Sequence, residues 1–181
     1  MDNSSLNELI LLSKRNDHQA FRKIVEYYQS KIYSLAFRLM SDDDDAKDIA
    51  QETFLRVWMH LSGFDTQRKF STWIYAIATN LCLDKLKSPK HCYRSVMLDD
   101  SLNELISSEN VEQNLINSEL SNIILALTND LTNKQKIVFT LRDIEELEVE
   151  EITQITGLSA NKIKSNLFLA RQAIRNKLKN L

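Results

Sequence analysis

Residues that interrupt regular structure are scarce in this chain and stand far apart. The 181 residues include only two glycines and one proline, at Gly63, Pro89 and Gly157. A sheet protein with many tight turns needs far more of both residue types, so the sequence argues against an all-β fold and favours helices throughout. Each of the three residues stands where the spacing of apolar residues changes, and we expect each to mark a helix boundary.

Gly157 separates two amphipathic stretches near the C-terminus. Before it, Val149, Ile152 and Ile155 stand three residues apart, as one face of a helix requires. Glycine can take the left-handed backbone conformation that ends a helix, and Ser159 can cap the helix that follows. This pattern predicts a helix-turn-helix, a common DNA-binding motif. The apolar row of its second helix is Ile163, Leu167, Ala170, Ile174 and Leu178.

Charge is unevenly distributed, although the chain as a whole carries a formal charge of only −2. Counted along the sequence, residues 61–94 carry +4, residues 95–130 carry −7 and residues 158–181 carry +6. Because salt screens charges beyond about 8–10 Å, the local sign matters more than the total. The two basic segments favour DNA binding, while an ordinary helical hairpin with a solvated basic face remains the alternative at this point.

Helical periodicity extends over most of the remaining chain. We predict an all-α fold with two small helical domains, residues 1–90 and residues 112–181, joined by an acidic linker over residues 91–111. Ser71 and Thr132 are predicted to cap two of the helices. The predicted helices before the helix-turn-helix are Ser5–Lys14, Ala20–Met40, Ala46–Leu61, Ser71–Ser88, Val111–Asp130 and Asn133–Glu146.

The acidic run from Asp42 to Asp45 suggests a metal site, but a capping role explains it better. Asp residues stabilise the positive end of a helix, and the run lacks the alternation and glycine of a calcium loop. A metal-dependent hydrolase would need a second ligand cluster, and Cys82, His91 and Cys92 do not have zinc spacing. We therefore expect neither a metal nor a cofactor. Without a signal peptide or membrane-spanning segment, the expected location is cytoplasmic.

The helix predicted after Ser71 also carries a second, mostly polar stripe beside its apolar face. Such a stripe next to a basic loop suits stacking on unpaired bases and hydrogen bonding to them. Packing of its tryptophan and solvation of its other members explain the pattern equally well. The stripe consists of Trp73, Ala76, Asn80, Asp84 and Lys87.

Two groups of motifs stand out: residues 45–58 and 70–80 form the first, and residues 131–135, 150–152, 157–159, 163–165 and 170–171 form the second. Together they resemble the extracytoplasmic-function (ECF) sigma factors of bacterial RNA polymerase. The resemblance covers about residues 6–88 and 112–180 in family order. Basic residues are common in the family where Ala76 and Thr79 stand, proline where Thr132 stands, and basic residues or histidine where Asn166, Phe168 and Leu169 stand.

The resemblance implies a transcription initiation factor with no catalytic residues of its own, because the polymerase carries out the chemistry. The partners it implies are core RNA polymerase, through its largest-subunit clamp helices and its flap region, promoter DNA and an anti-sigma factor. The alternative is a stand-alone helix-turn-helix regulator, which would leave the first group of motifs unexplained. The residues implied to contact core polymerase are Asp48, Gln51, Glu52, Leu55 and Arg56.

Two DNA-reading surfaces also follow from the resemblance. The 62–70 loop and the Asn80 helix face would read the minus-ten element as its strands separate, and the last helix would read the minus-thirty-five element. The minus-ten set is Phe64, Arg68, Lys69, Trp73, Ala76, Asn80, Asp84 and Lys87. The minus-thirty-five set is Ser159, Asn161, Lys162, Lys164, Ser165, Asn166 and Arg171, with Lys164 and Arg171 expected on phosphates and Asn166 on a base.

Overall fold

The computed structural model describes residues 3–88 and 123–179, and every regular element in these two ranges is helical. The predicted all-α fold class is confirmed. A 3₁₀ turn at Leu61–Gly63 and a π-helical turn at Thr140–Ile144 interrupt the α-helices, and residues 123–128 form a further helical segment. The α-helices are α1 (Asn3–Lys14), α2 (His18–Met40), α3 (Asp43–His60), α4 (Phe70–Leu86), α5 (Asn133–Phe139), α6 (Val149–Thr156) and α7 (Ala160–Leu178).

The first domain, residues 3–88, is built around α2. This helix packs against α1, α3 and α4, and it buries one apolar side chain at almost every turn. At its end, Ser41 takes a left-handed conformation (φ 56°) and turns the chain sharply into α3. The buried residues of α2 are Ala20, Ile24, Tyr28, Ile32, Leu35, Ala36, Leu39 and Met40.

The capping interpretation of the Asp42–Asp45 run is confirmed. Asp42 lies at the N-cap of α3, and its carboxylate accepts a hydrogen bond from the backbone N–H of Asp45 at 2.9 Å. Asp43 pairs with Lys47 one turn later, and Lys85 of α4 reaches Asp45 at 2.7 Å. Within residues 3–88 and 123–179, no group of acidic, histidine or cysteine residues is arranged to hold a metal ion.

Two sequence predictions about the second half of the first domain have different outcomes. Ser71 does not cap α4, because the helix begins one residue earlier, at Phe70, and its N-cap is Lys69 without a side-chain hydrogen bond. Phe70 is 3% exposed, so burial of its ring, not a hydroxyl cap, positions the start of the helix. Cys82 is fully buried as expected, and burial raises the pKa of its thiol to about 12.

The second domain, residues 123–179, contains the predicted helix-turn-helix. Thr132 caps α5 in a capping box with Gln135, which confirms the predicted cap. Gly157 ends α6 with φ 69°, and Ser159 accepts a hydrogen bond from the N–H of Lys162 at the start of α7. The row Ile163, Leu167, Ala170 and Ile174 is buried as predicted.

Three further predictions in this part of the chain need correction or fall outside the described residues. Leu178 is 55% exposed, because it follows the last contact between the apolar row and the domain. The helix predicted over Asn133–Glu146 changes to π-helical geometry at Thr140, and the chain turns at Glu146, which takes a left-handed conformation (φ 56°). The acidic linker, its boundaries with the two domains, and His91 and Cys92 lie outside the described residues.

The two domains pack directly against each other through α4 and α6, and α2 also contacts α5. One cluster of buried apolar residues continues from the first domain into the second, where it includes Ile137, Leu141 and Ile152. No local pattern in the sequence predicts this contact between the domains. No helix in the described residues is long and apolar enough to cross a membrane.

Candidate polymerase and promoter interfaces

The five residues expected to contact core polymerase lie on one side of α3. Their spacing of three or four residues brings them together on a helix. Asp48 and Gln51 are exposed, while Glu52 accepts a salt bridge from Arg56 one turn later at 2.8 Å. Leu55 is 54% exposed, so this side of α3 combines an apolar centre with a polar border. Such a composition is typical of a protein interface.

Met59 is a further member of this surface that the sequence analysis did not include. It stands four residues after Leu55, and its side chain is 63% exposed. Its helical position could have indicated this, because Met59 does not share the buried face formed by Ala46, Ile49 and Val57. Leu55 and Met59 thus place two exposed apolar side chains one turn apart beside the polar residues of this surface.

Lys85 links the expected polymerase-docking helix to the expected DNA-reading helix. It projects from α4 and forms ion pairs with Asp45 at 2.7 Å and with Asp48 at 3.3 Å. Hydrogen bonds and opposite charges raise the pKa of Lys85 despite the opposing effect of partial burial. The Lys85 ammonium group therefore ties α4 to α3 mainly through Asp45, and the Asp48 side chain beside it remains 72% exposed.

The loop between α3 and α4 encloses a compact aromatic cluster. Phe64 is 5% exposed and stacks on Trp73 with ring centroids 4.7 Å apart. It also meets Phe70 edge-on at 5.4 Å, and Lys14 of α1 donates a hydrogen bond to its carbonyl oxygen. Phe64 and much of Trp73 therefore pack the loop against the domain, as the packing interpretation of the tryptophan requires. Phe64 belongs to the predicted minus-ten set, but its buried ring supports the loop and is not open for stacking on a base.

The exposed part of the minus-ten set forms a line along α4. Asn80, Asp84 and Lys87 are exposed and follow one another at helical spacing, with Ala76 half-buried one turn before them. Lys87 and Asp84 lie 3.5 Å apart and are both more than two-thirds exposed, so their ion pair is weak and easily exchanged for another contact. The Asn80 amide is left facing solvent with a donor and an acceptor.

The two cations of the loop have different surroundings. The Arg68 side chain is exposed, and its backbone N–H closes a turn by donating a hydrogen bond to the carbonyl oxygen of Asp65 at 3.0 Å. The Lys69 ammonium group lies 3.1 Å from the carboxylate of Glu151 in α6. A cation of the expected minus-ten surface is thus occupied by an acidic side chain of the second domain.

The outer side of α7 contains only part of the minus-thirty-five set. Asn161, Ser165, Phe168 and Gln172 lie opposite the buried row at Ile163, and all four are exposed. Lys162 and Lys164 flank this line on its two sides. Ser159 uses its hydroxyl to cap the helix, so its side chain fixes the start of α7.

Asn166 and Arg171 are less available than the sequence suggested. Asn166 is half-buried on a flank of α7, and its amide donates to the carbonyl oxygen of Lys162 at 2.7 Å. Arg171 forms a two-point contact with Asp143, at 2.9 and 2.6 Å, which raises the pKa of its guanidinium. Arg171 therefore clamps α7 to the π-helical turn, and much of its charge is already compensated.

Phe168 is the clearest residue that the sequence analysis left out of the minus-thirty-five set. It is 67% exposed in the middle of the outer side, and Arg175 follows two turns later. The sequence could have indicated Phe168, because this aromatic residue lies outside the apolar row of α7. An exposed aromatic ring on a DNA-facing helix is suited to contact the methyl group of thymine.

Two families of known proteins each match one part of the chain. The Sigma-70 region 2 family matches residues 24–91, and the Sigma-70, region 4 family matches residues 121–174. Among solved structures, the chain is similar in fold to CnrH in complex with the cytosolic domain of CnrY, with a TM-score of 0.72 and 20% identity. That match covers 97% of this chain and 98% of the other. RpoE in complex with the anti-sigma factor NepR from Bartonella quintana gives a TM-score of 0.69 at 21% identity, covering 88% and 96% of the two chains.

Curated relatives match almost the whole length. The ECF RNA polymerase sigma factor SigW of Bacillus subtilis (strain 168) is 36% identical over 175 residues, covering 93% of this chain and 94% of the relative. The ECF RNA polymerase sigma-E factor of Haemophilus influenzae is 29% identical over 175 residues, covering 93% and 92%. On this similarity, and with regions 2 and 4 matched in order, the chain belongs to the ECF family of RNA polymerase sigma factors.

Proposed function

We propose that this sigma factor divides its work among three helix surfaces: α3 for the polymerase, α4 with its loop for the minus-ten element, and α7 for the minus-thirty-five element. The chain acts in transcription initiation by directing core RNA polymerase to specific promoters. The observation that carries the assignment is the exposed surface of α3. Leu55 and Met59 contribute large apolar side chains that the packing of the domain does not use. A stand-alone DNA-binding regulator would leave the match of residues 24–91 to Sigma-70 region 2 unexplained.

For the polymerase, we assign Asp48, Gln51, Glu52, Leu55 and Arg56 to contact with the clamp helices of the largest subunit, with Met59 added. The polar residues would set orientation, and the two apolar side chains would supply most of the buried area. The second domain would contact the flap region. Since polymerase supplies the active site, no enzymatic activity is assigned to this chain, and its place of action would be the cytoplasm.

For the minus-ten element, the proposal separates support from reading. Phe64, Phe70 and the inner part of Trp73 hold the loop rigid, so that an extruded base meets a preformed site. Asn80 then offers its amide to the edge of that base, while Arg68 and Lys69 face the backbone phosphates. Ala76, Asp84 and Lys87 would border the strand. Capture of unpaired bases by this surface would favour strand separation.

For the minus-thirty-five element, Asn161, Ser165 and Phe168 are proposed to face base edges, and Lys162 and Lys164 the flanking phosphates. Ser159 fixes the helix start, Asn166 supports the first turns, and Arg171 holds α7 against Asp143. This assignment moves Asn166 and Arg171 from direct contact to positioning. An anti-sigma factor is proposed as a further partner, because the similar solved folds include a sigma factor bound to one.

Gel filtration with core RNA polymerase tests the α3 assignment. We expect the wild-type chain to co-elute with core and the Asp48→Ala, Gln51→Ala, Glu52→Ala triple variant to do so much more weakly. A matched triple variant on the exposed side of α2, Lys23→Ala, Glu26→Ala and Gln29→Ala, should bind as the wild type does. Circular dichroism should show unchanged helix content in both. Equal binding by the two variants would remove the α3 assignment, and failure of the wild type to bind would contradict the proposed function itself.

A further inference from the structure

Lys31 of α2 is an exposed cation that neighbouring rings hold in place without neutralising it. Its ammonium group lies 4.4 Å from the centroid of the Tyr27 ring and 3.3 Å from the Tyr27 hydroxyl, one turn earlier on the same helix. The centroid of the Tyr28 ring lies 5.7 Å away. An aromatic face attracts a cation through its quadrupole but does not cancel its charge. The Lys31 ammonium group is therefore positioned and still able to bind an anion.

Most other cations of the first domain are paired with carboxylates. Near the expected minus-ten bases, Lys69 meets Glu151 and Lys87 meets Asp84. No carboxylate within residues 3–88 and 123–179 lies within salt-bridge distance of Lys31, so none of them compensates its charge. The paired cations of this domain are Arg22, Arg38, Lys47, Arg56, Lys69, Lys85 and Lys87.

A row of aromatic contacts connects the Lys31 side of α2 with the loop between α3 and α4. Phe64 of the loop meets Phe70 with ring centroids 5.4 Å apart, and Phe70 meets Tyr28 at 5.5 Å. Tyr28 in turn meets Tyr27 edge-on at 4.9 Å. Tyr28 is 4% exposed and Phe70 is 3% exposed, so the buried rings fix this spacing. The row spans at most roughly 16 Å, the length of about five stacked nucleotides at 3.4 Å each.

We propose that Lys31, positioned by Tyr27, binds a backbone phosphate of the unpaired strand beside the minus-ten bases. This inference rests on the proposed function, which places those bases at α4 and its loop. A strand held at Asn80 continues past the loop, and each further nucleotide adds one negative charge. A cation without a carboxylate partner, only a few nucleotides away, attracts that backbone. Because a phosphate carries no sequence information, the contact strengthens binding of the strand and leaves base preference unchanged.

The salt dependence of strand binding tests the contact with a matched pair of variants. Lys31→Gln removes the proposed phosphate contact. Arg22→Gln removes a charge nine residues away, on the opposite side of α2, where Arg22 pairs with Glu26. The probe is a single-stranded oligonucleotide that carries the minus-ten element of a promoter transcribed by the wild-type holoenzyme. Fluorescence anisotropy measures its binding to reconstituted holoenzyme between 50 and 200 mM salt.

Lys31→Gln should bind the oligonucleotide about three- to tenfold more weakly at 50 mM salt, and its salt slope should be lower by about 0.7, as the loss of one phosphate contact requires. Arg22→Gln should match the wild type, and all three proteins should co-elute with core polymerase equally. An unchanged slope for Lys31→Gln would overturn the inference, as would weaker core binding, which would place Lys31 against the polymerase. If the wild-type holoenzyme does not bind the oligonucleotide, the minus-ten assignment fails as well.

An uncharged backbone analogue locates the phosphate. Replacing one phosphate at a time by methylphosphonate should reveal one position at which the wild type loses affinity and Lys31→Gln loses no more. Equal further losses for Lys31→Gln at every position would contradict a direct contact. Tyr27→Leu removes the ring beneath Lys31 and should weaken strand binding, whereas Tyr27→Phe keeps the ring and should retain most of it. If Tyr27→Leu binds as the wild type does, with normal helix content by circular dichroism, Tyr27 does not position Lys31.

Discussion

The two domains are stabilised in different ways. The first contains fully buried aliphatic side chains from all four of its helices, including Ile10, Ile32 and Ile74, and the aromatic cluster at the loop. In the described part of the second domain, a small separate cluster surrounds Leu131, and other apolar residues, including Ile137 and Ile152, continue the core of the first domain. Polar clamps hold its helices, namely the contacts Arg171–Asp143, Arg142–Glu148 and Lys177–Asp130.

We propose that this difference matches what each domain recognises. A base extruded from a melted strand is captured best by a rigid, preformed site, which dense aromatic packing provides. A duplex is approached first through its phosphates, which requires exposed cations more than a deep core.

The largest effect should come from removing an aromatic ring of the first domain. Phe64→Ala would leave a cavity beside Phe70 and Trp73, and we expect it to lower the free energy of unfolding by about 3–5 kcal/mol. The matched change in the second domain is Phe168→Ala, whose ring is 67% exposed and should cost less than about 0.5 kcal/mol. Urea denaturation of both variants measures the difference, and similar losses would break the contrast between the domains.

A smaller effect is expected from a polar clamp of the second domain. Arg171→Met removes the two-point contact with Asp143, and a partly exposed pair of good geometry contributes about 1 kcal/mol. Arg175→Met, which removes a cation from the same helix without that contact, is the control for lost charge. If thermal unfolding shows the same midpoint for both variants, Arg171 does not act as a clamp.

The smallest effect concerns Lys136, which lies at the boundary between the domains. It is 9% exposed, its ammonium group lies 3.1 Å from the Ser41 hydroxyl, and burial lowers its pKa. The folded state then releases its proton at lower pH than the unfolded state, so burying the charge is costly at neutral pH. That cost disappears as pH rises from the lowered pKa to the ordinary value of 10.5.

Lys136→Met should therefore be neutral or stabilising by about 1 kcal/mol at pH 7, and its advantage over the wild type should shrink toward pH 10.5. Denaturation at several pH values measures this trend. An advantage that grows with pH would contradict the assigned direction of the pKa shift.

Local features of the fold could be predicted from the sequence, and distant contacts could not. The caps formed by Asp42, Thr132 and Ser159 and the left-handed Gly157 depend on residues within one helical turn, so their signals are short and readable. The π-helical turn at Thr140 and the helix start at Phe70 depend on tertiary packing, which overrides local preference. The contact of Tyr75 with Glu145 joins residues 70 positions apart, and no local pattern predicts it.

The same limit applies to the expected sites. Family motifs placed the docking residues on α3 together, because helical spacing alone is enough to align them. On α7 the motif could not reveal that the Asn166 amide bonds its own helix or that Arg171 meets Asp143. Asn166 and Arg171 bond to groups within the protein itself, and such internal bonds depend on the folded structure. A sequence motif therefore cannot predict them.

Transcription by reconstituted holoenzyme on a promoter library randomised at both elements tests the division of surfaces most directly. Wild type, Asn80→Ala and Asn161→Ala are compared by sequencing the transcribed templates. The account predicts that Asn80→Ala changes base preference only in the minus-ten element and Asn161→Ala only in the minus-thirty-five element. A loss of discrimination by ~1–3 kcal/mol at the affected position is expected for a lost two-bond contact. If either variant alters the other element, or neither alters its own, the division of surfaces proposed for this sigma factor is wrong.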